Sequence, residues 1–391
     1  MEFGGGWRLR GDTKRWSRSL FLLLICAALM IDSVSSALDD STTSQAMEKI
    51  FASVQTLLFA ALDDDDWDDP ANAAKIGAAI STLEQMGSEL ESQEGDGTAS
   101  FAFFSRSLSW GSANLAVRHR AGDSASARNQ LFSLVHTCVG CHSRLPSDRD
   151  SSLSKRFVSD ARIAALPLHE RAILETATRQ FEAALANYES ILQSPDYTPE
   201  EIDRLGIFDE YLALCLHVRV DTTRPYRNLE AASKRDDVDA ALGKRLRGWL
   251  KDLEKIKSAG DRRDLAGIRA RVERTEALSS SHSERELLVA YLDSAALLHR
   301  FVEDATRTSV EHAEAYYLLG LVESQVGRVY WPAPEEFYLE VAIRMAPGSD
   351  VARTAFKLYE EIVTLGYSGS AGTQMPPEMV SRLKDLRELS R

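Results

Sequence analysis

Residues 136–144 read HTCVGCHSR and place two thiols and an imidazole within one and a half turns of a helix. Cys138 and Cys141 are three positions apart and His142 is four from Cys138, so the three side chains share one helical edge. That edge suits a flat, covalently tethered disc. Two sulfurs can add across the two vinyl groups of a haem, and the imidazole beside the second sulfur can bind the iron from beneath as proximal ligand. Other uses of C-x-x-C need partners the chain does not supply. A tetrahedral zinc site wants two further Cys or His at short spacing, whereas the remaining cysteines, Cys26 and Cys215, are far away in sequence. A thioredoxin-like dithiol wants a βαβ setting, and no strand pattern flanks this stretch. The expectation is one covalent haem c, held by Cys138 and Cys141 with His142 on the iron; zinc, a redox dithiol and coincidence are the alternatives.

Thioether attachment implies export, and residues 1–37 point the same way independently. Arg8, Arg10, Lys14, Arg15 and Arg18 precede an apolar run from Leu20 to Ile31, and Ser35 and Ala37 supply the small residues of a cleavage site. The run is too short for a comfortable membrane span, so a signal peptide over 1–37, a periplasmic location and no stable span after cleavage are expected. Cys26, inside the run, is read as discarded rather than lipidated. Cleavage takes five Lys/Arg from 46 and three Asp/Glu from 59, leaving a net charge of −15. Such acidity disfavours nucleic acid and anionic membrane surfaces as partners. With two thiols committed, Cys215 alone remains, so no disulfide framework forms within one molecule; its helical setting, YLALCLHV, reads as a buried, inert thiol. His217 falls on another face of that helix, against a metal pair with Cys215.

Residues 42–145 read as four helices. Helix one, about 43–62, carries Met47, Ile50, Phe51, Val54, Leu57, Leu58 and Ala61 at helical spacing; helix two follows Asp69-Pro70 and repeats Ile76, Ile80, Leu83, Met86 and Leu90. After EGDG, helix three, about 100–121, uses Phe101, Phe104, Leu108 and Leu115, and helix four carries Leu131, Leu134, Val135, Cys138 and His142. Short connections make neighbours antiparallel, which predicts an up-down-up-down bundle. Helix four then ends at the pole where helix one starts, so Met47 lies level with His142 and can offer a thioether across the iron. A methionine on an apolar stripe is also ordinary core filling, and Met86 is the weaker rival; with neither bound, the iron is five-coordinate. Phe101, Phe103 and Phe104 fall at the same pole as candidate walls of the haem pocket. His119 belongs at the opposite pole, and His136 shares a helix with the proximal ligand, so neither is assigned to the iron. The acidic run DDDDWDD, Asp63–Asp69, reads as a solvated turn, since it lacks the alternating spacing of a calcium loop.

With these features the N-terminal part resembles the class II c-type cytochromes, the family of cytochrome c prime and its six-coordinate relatives. The likeness rests on four helices of this length with CVGCH near the end of the last, and spans roughly residues 42–145. It implies a haem-carrying bundle in which Met47 occupies the place of the sixth ligand, which favours electron carriage; the five-coordinate members bind gases such as nitric oxide. One departure is that the family often continues with an aromatic-arginine pair, where this chain reads CHSRLPSD. Arg144 is read there as a candidate for a propionate or helix-end role.

Leu145–Lys155, polar and breaker-rich, reads as a linker, dividing the chain into a bundle over 38–147 and a helical domain over 148–391. One helix pair carries a degenerate tetratricopeptide signature: Tyr316, Leu319 and Gly320, then Ala342 and Pro347, with extra residues around WPAP. Ala183–Pro195 echoes the second half of such a repeat. The resemblance implies a stacked helical array with a concave face that holds a protein partner. No acid–base pair, nucleophile triad or phosphate loop stands out, and His299 and His312 read as ordinary partly buried histidines. The expected protein is all-α and not an enzyme: an exported monohaem electron carrier serving a redox protein, its repeats recruiting a partner. A five-coordinate NO/CO sensor and a scaffold with structural haem are the alternatives.

Overall fold

The computed structural model describes residues 42–92, 98–145, 152–259, 264–304, 306–326, 334–370 and 372–391. The expected signal peptide over 1–37 with Cys26, the EGDG break and residues 331–333 of WPAP lie outside them. Among the described residues the chain is all-helical apart from one antiparallel pair of two-residue strands, Ser368–Gly369 and Gly372–Thr373. None of its described helices is long and apolar enough to cross a membrane.

Helix α1 spans 42–61. Helix α2, Asp64–Asp68, occupies the acidic run that reads as a turn. The difference has a local cause: the Asp63 side chain accepts from Asp65 N at 3.0 Å, which caps the turn of helix, and Trp67 is buried. Pro70 opens α3, Pro70–Ser92, where its missing N–H costs nothing. The Thr98 side chain accepts from Phe101 N to start α4, Ala99–Arg120, and Asp123 accepts from Ser126 N to start α5, Ser124–Arg144.

The four long helices run antiparallel to their neighbours. Gly77 near the start of α3 faces His119 near the end of α4, Gly87 faces Ser109 and Ser112, and Gly111 of α4 sits against Leu134 of α5. Arg128 Nη2, early in α5, donates to the carbonyl of Ala61 at the end of α1 at 3.3 Å. Leu57, Leu83, Leu115 and Leu131, one from each helix, are completely buried in a common core. Each is worth about 1.5–3 kcal/mol of burial.

That core also takes residues from beyond the expected linker. Helix α6, Ser152–Val158, is followed by α7, Ala161–Ala164, and α8, Leu168–Ala177. Phe157, Ile163 and Leu174 pack with the first helices. The Phe157 ring meets Phe51 edge-on at 5.6 Å and lies 5.3 Å from Phe59, while the Arg162 guanidinium covers Phe59 at 3.6 Å. The stretch read as linker is therefore helical from Ser152, with residues 146–151 outside the described set.

The rest of the chain is a succession of helices packed on a second core: α9 Phe181–Gln193, α10 Pro199–Arg204, α11 Ile207–Ala213 with a π-helical continuation over Leu214–Val218, α12 Thr223–Ser233, α13 Ala240–Ala259, α14 Leu265–Ser279, α15 Glu284–Val302, α16 Ser309–Val326, α17 Glu335–Met345, α18 Asp350–Gly366 and α19 Pro377–Leu389. Successive helices α14 to α18 pack on their neighbours, as do α8 and α9. Gly320 lies tightly against α17: a Cβ there would lie 2.5 Å from Leu339 Cγ, so the absence of a side chain lets α16 and α17 pack as they do. Tyr316, Leu319 and Ala342 of the tetratricopeptide-like pattern are buried around this contact, and Pro347 is exposed after α17.

Candidate functional site

Val139, Gly140, Ser143 and Arg144 of the last turns of α5 are buried in protein, whereas Cys138, Cys141 and His142 are partly exposed. The latter three line one cavity of about 890 Å³, within the range typical of cofactor sites. Met47 from the first turns of α1, and Phe101 and Phe104 from the first turns of α4, line the same cavity. Antiparallel packing brings these helix ends to one pole. Phe103 instead packs against Phe104 and Phe337, with centroids 5.1 and 5.5 Å away. Met86 is buried in the core of the first helices and is not among the lining residues. His119 sits beside Gly77, near the end of α4 remote from Phe101.

The opposite wall comes from the C-terminal part: Ser154, Phe157, Leu174, Ala177, Thr178 and Arg179. His142 Nδ1 lies 2.8 Å from the carbonyl oxygen of Ala177. A carbonyl only accepts, so Nδ1 carries the proton and donates it, leaving the Nε2 lone pair available. Nε2 makes no hydrogen bond to any described residue. Burial drives the His142 pKa down to about 3, and the nearby charge of Arg179 adds to the effect, with the bond to Ala177 opposing it. The ring is therefore neutral, oriented by a backbone acceptor and free at Nε2, which is the state a metal-binding imidazole needs.

The two thiols are free, and burial pushes Cys138 up to about 12 and Cys141 up to about 11, the latter against the opposing charges of Arg179 and Arg144. They are protonated thiols in an apolar pocket, unlike the low-pKa cysteine of a dithiol oxidoreductase. Among the described residues no group of three or more His, Cys, Asp and Glu is arranged to hold a bare metal ion. Cys215 is buried, and burial raises its thiol well above the ordinary range.

Arg144 makes the helix-end contact expected of it, Nη1 donating to the carbonyl of Gly140 at 3.4 Å, and it also reaches across to the C-terminal part. Its Nε and Nη2 donate to Glu323 Oε1 and Oε2 at 3.0 and 2.6 Å, with both side chains almost completely buried. His299 Nε2 also lies 3.0 Å from Glu323 Oε1, and the His299 ring meets Tyr338 edge-on. Burial alone would raise the Glu323 pKa, but the charge of Arg144 and the hydrogen bonds from His299 and Arg144 hold it well below the usual carboxylate range. Beside this pair, the hydroxyls of Ser100 and Tyr338 are 2.8 Å apart. These contacts fasten α4 and α5 to α15, α16 and α17.

Ala177 and Arg179 are the site residues that the sequence conceals. A carbonyl acceptor has no residue-type signature, and both positions lie beyond the expected linker. Comparison with models of known families, with curated proteins and with solved structures returned no match.

Proposed function

We propose that the protein is an exported monohaem c-type cytochrome for electron transfer and that the cavity at the end of α5 receives its one covalent haem c. Cys138 and Cys141 would form the thioethers, His142 Nε2 would bind the iron, and Met47 would face it from α1. The bond from His142 Nδ1 to Ala177 is the observation that carries this reading, since it leaves one ring nitrogen free in a cavity that both thiols line. The group supplies a one-electron iron couple. The protein's own contribution is to orient the imidazole, to exclude water with Phe101, Phe104 and Leu174, and to keep the thiols neutral until attachment. The class II cytochrome-like bundle belongs to this reading, and so does the tetratricopeptide-like half as the surface that holds a protein partner, with a periplasmic setting for both.

The test is expression of the full chain in a host that matures c-type cytochromes. Wild-type protein should retain a peroxide-staining pigment after denaturation, and Cys138→Ser/Cys141→Ser should lose it. An unpigmented wild type overturns the proposal. Spectra then assign the distal side: low-spin iron that becomes high-spin in Met47→Ala supports electron carriage, whereas high-spin iron in the wild type favours gas binding.

A further inference from the structure

Arg179 sits where α8 ends and α9 begins, and its backbone is unusual. Gln180 N donates to the carbonyl of Glu175 at 2.7 Å and Arg179 N to that of Thr176 at 3.1 Å, the bond pattern of a Schellman cap. The residue at the left-handed position of that cap is ordinarily glycine, yet Arg179 holds φ 63° there. An arginine kept in a conformation that disfavours side chains points to use of the side chain itself. That side chain lines the cavity, and Nη1 donates to the carbonyl of Leu145, the C-cap of α5, at 3.1 Å. The guanidinium is close enough to act on both Cys141 and His142. Among the described residues lining the cavity, Arg179 is the only cation and Glu48 the only anion.

On the reading that the cavity receives haem c, we infer that Arg179 is the positioning cation for a carboxylate of that group and raises its reduction potential. A haem brings two carboxylates into a largely apolar cavity, and guanidinium is the side chain best matched to a carboxylate. Leu145 fixes the cation relative to the helix that carries His142. A fixed positive charge there favours the reduced iron, which carries one positive charge fewer than the oxidised form.

The experiment is potentiometric titration of full-length haem-loaded wild type, Arg179→Gln, Arg179→Lys and Arg179→Gly, with thermal unfolding measured alongside. Glycine suits the left-handed backbone, so Arg179→Gly removes the cation and relaxes the cap together. The Gln and Gly variants should each show about a tenfold lower ratio of reduced to oxidised protein at a fixed potential, a shift of about 59 mV for one electron. The Lys variant should remain close to wild type. Unchanged potentials in both Gln and Gly variants overturn the inference, as does a changed stability without a changed potential, which is what a purely structural cap would give. A wild type without haem overturns the inference and the underlying reading together, so the two failures are distinguishable.

Discussion

Replacing Glu323 by Gln keeps the shape of the side chain and removes its charge, leaving the Arg144 cation in a site where only 2% of its side chain is exposed. Both hydrogen bonds of the pair, 2.6 and 3.0 Å, lie inside protein, so solvent screening does little to soften the loss. Breaking one partner of such a pair costs about 3–5 kcal/mol, a large share of the roughly 5–15 kcal/mol that stabilises a folded chain. The double variant Arg144→Met/Glu323→Leu removes both charges and should cost less than Glu323→Gln, although His299 then loses its carboxylate acceptor, worth about 1–3 kcal/mol. Urea unfolding of the full-length protein followed by circular dichroism gives these free energies, and the cycle completed with the single variants Arg144→Met and Glu323→Leu gives the coupling. The acid limb supplies a further check. With its folded pKa held below the unfolded value of about 4.3, Glu323 contributes stability that is complete above that pH and is lost as the pH falls beneath it. The Gln variant should have a flatter acid limb. A cost below about 1 kcal/mol for Glu323→Gln, or additive behaviour in the cycle, would refute the assignment of this pair as the clasp between the two parts of the chain.

Gly320→Ala would drive a Cβ to 2.5 Å from Leu339 Cγ and 3.2 Å from the Glu335 carbonyl, so it should destabilise by about 1–3 kcal/mol in chemical denaturation; a neutral effect would show that α16 and α17 separate freely. Burial, reinforced by the neighbouring His299, lowers the His217 pKa to about 3, with Glu323 opposing and Arg144 adding to the shift; its Nε2 lies 3.0 Å from the Leu292 carbonyl. Because the folded pKa lies below the unfolded value, the contribution is complete above about pH 6.5 and declines as the pH falls toward 3, by up to about 1.4 kcal/mol per pH unit. Stability measured from pH 7 to 4 should therefore be less pH-dependent in His217→Gln, and an unchanged slope would remove His217 from the account.

The first helices are legible in the chain because their signals are local. The apolar repeats of Ile76, Ile80, Leu83, Met86 and Leu90 mark the buried face of α3, and Asp69-Pro70 marks its start within a residue. The shared pole of Met47, Phe101, Phe104 and His142 is legible for a geometric reason: antiparallel helices of similar length must bring alternate ends together. The acidic run misleads because charge suggests solvent, while a single residue, Trp67, provides the buried anchor of α2. Phe103 misleads by proximity, since one residue of helix turns its ring away from the cavity and onto Phe337. Arg144 and Glu323 are 179 positions apart, and no periodicity announces a pairing of that kind.

The two parts into which the sequence is expected to divide near residue 147 are physically joined at the last turn of α5. Ala177 sets the tautomer of His142, Arg179 holds the carbonyl of Leu145, and Glu323 holds Arg144, so three residues beyond the expected boundary act on three positions of one helix end. A displacement of α8 by an ångström or more would stretch the 2.8 Å bond beyond useful hydrogen-bonding distance and release the imidazole from its backbone acceptor. The properties of the His142 ring therefore depend on how the C-terminal helices are seated.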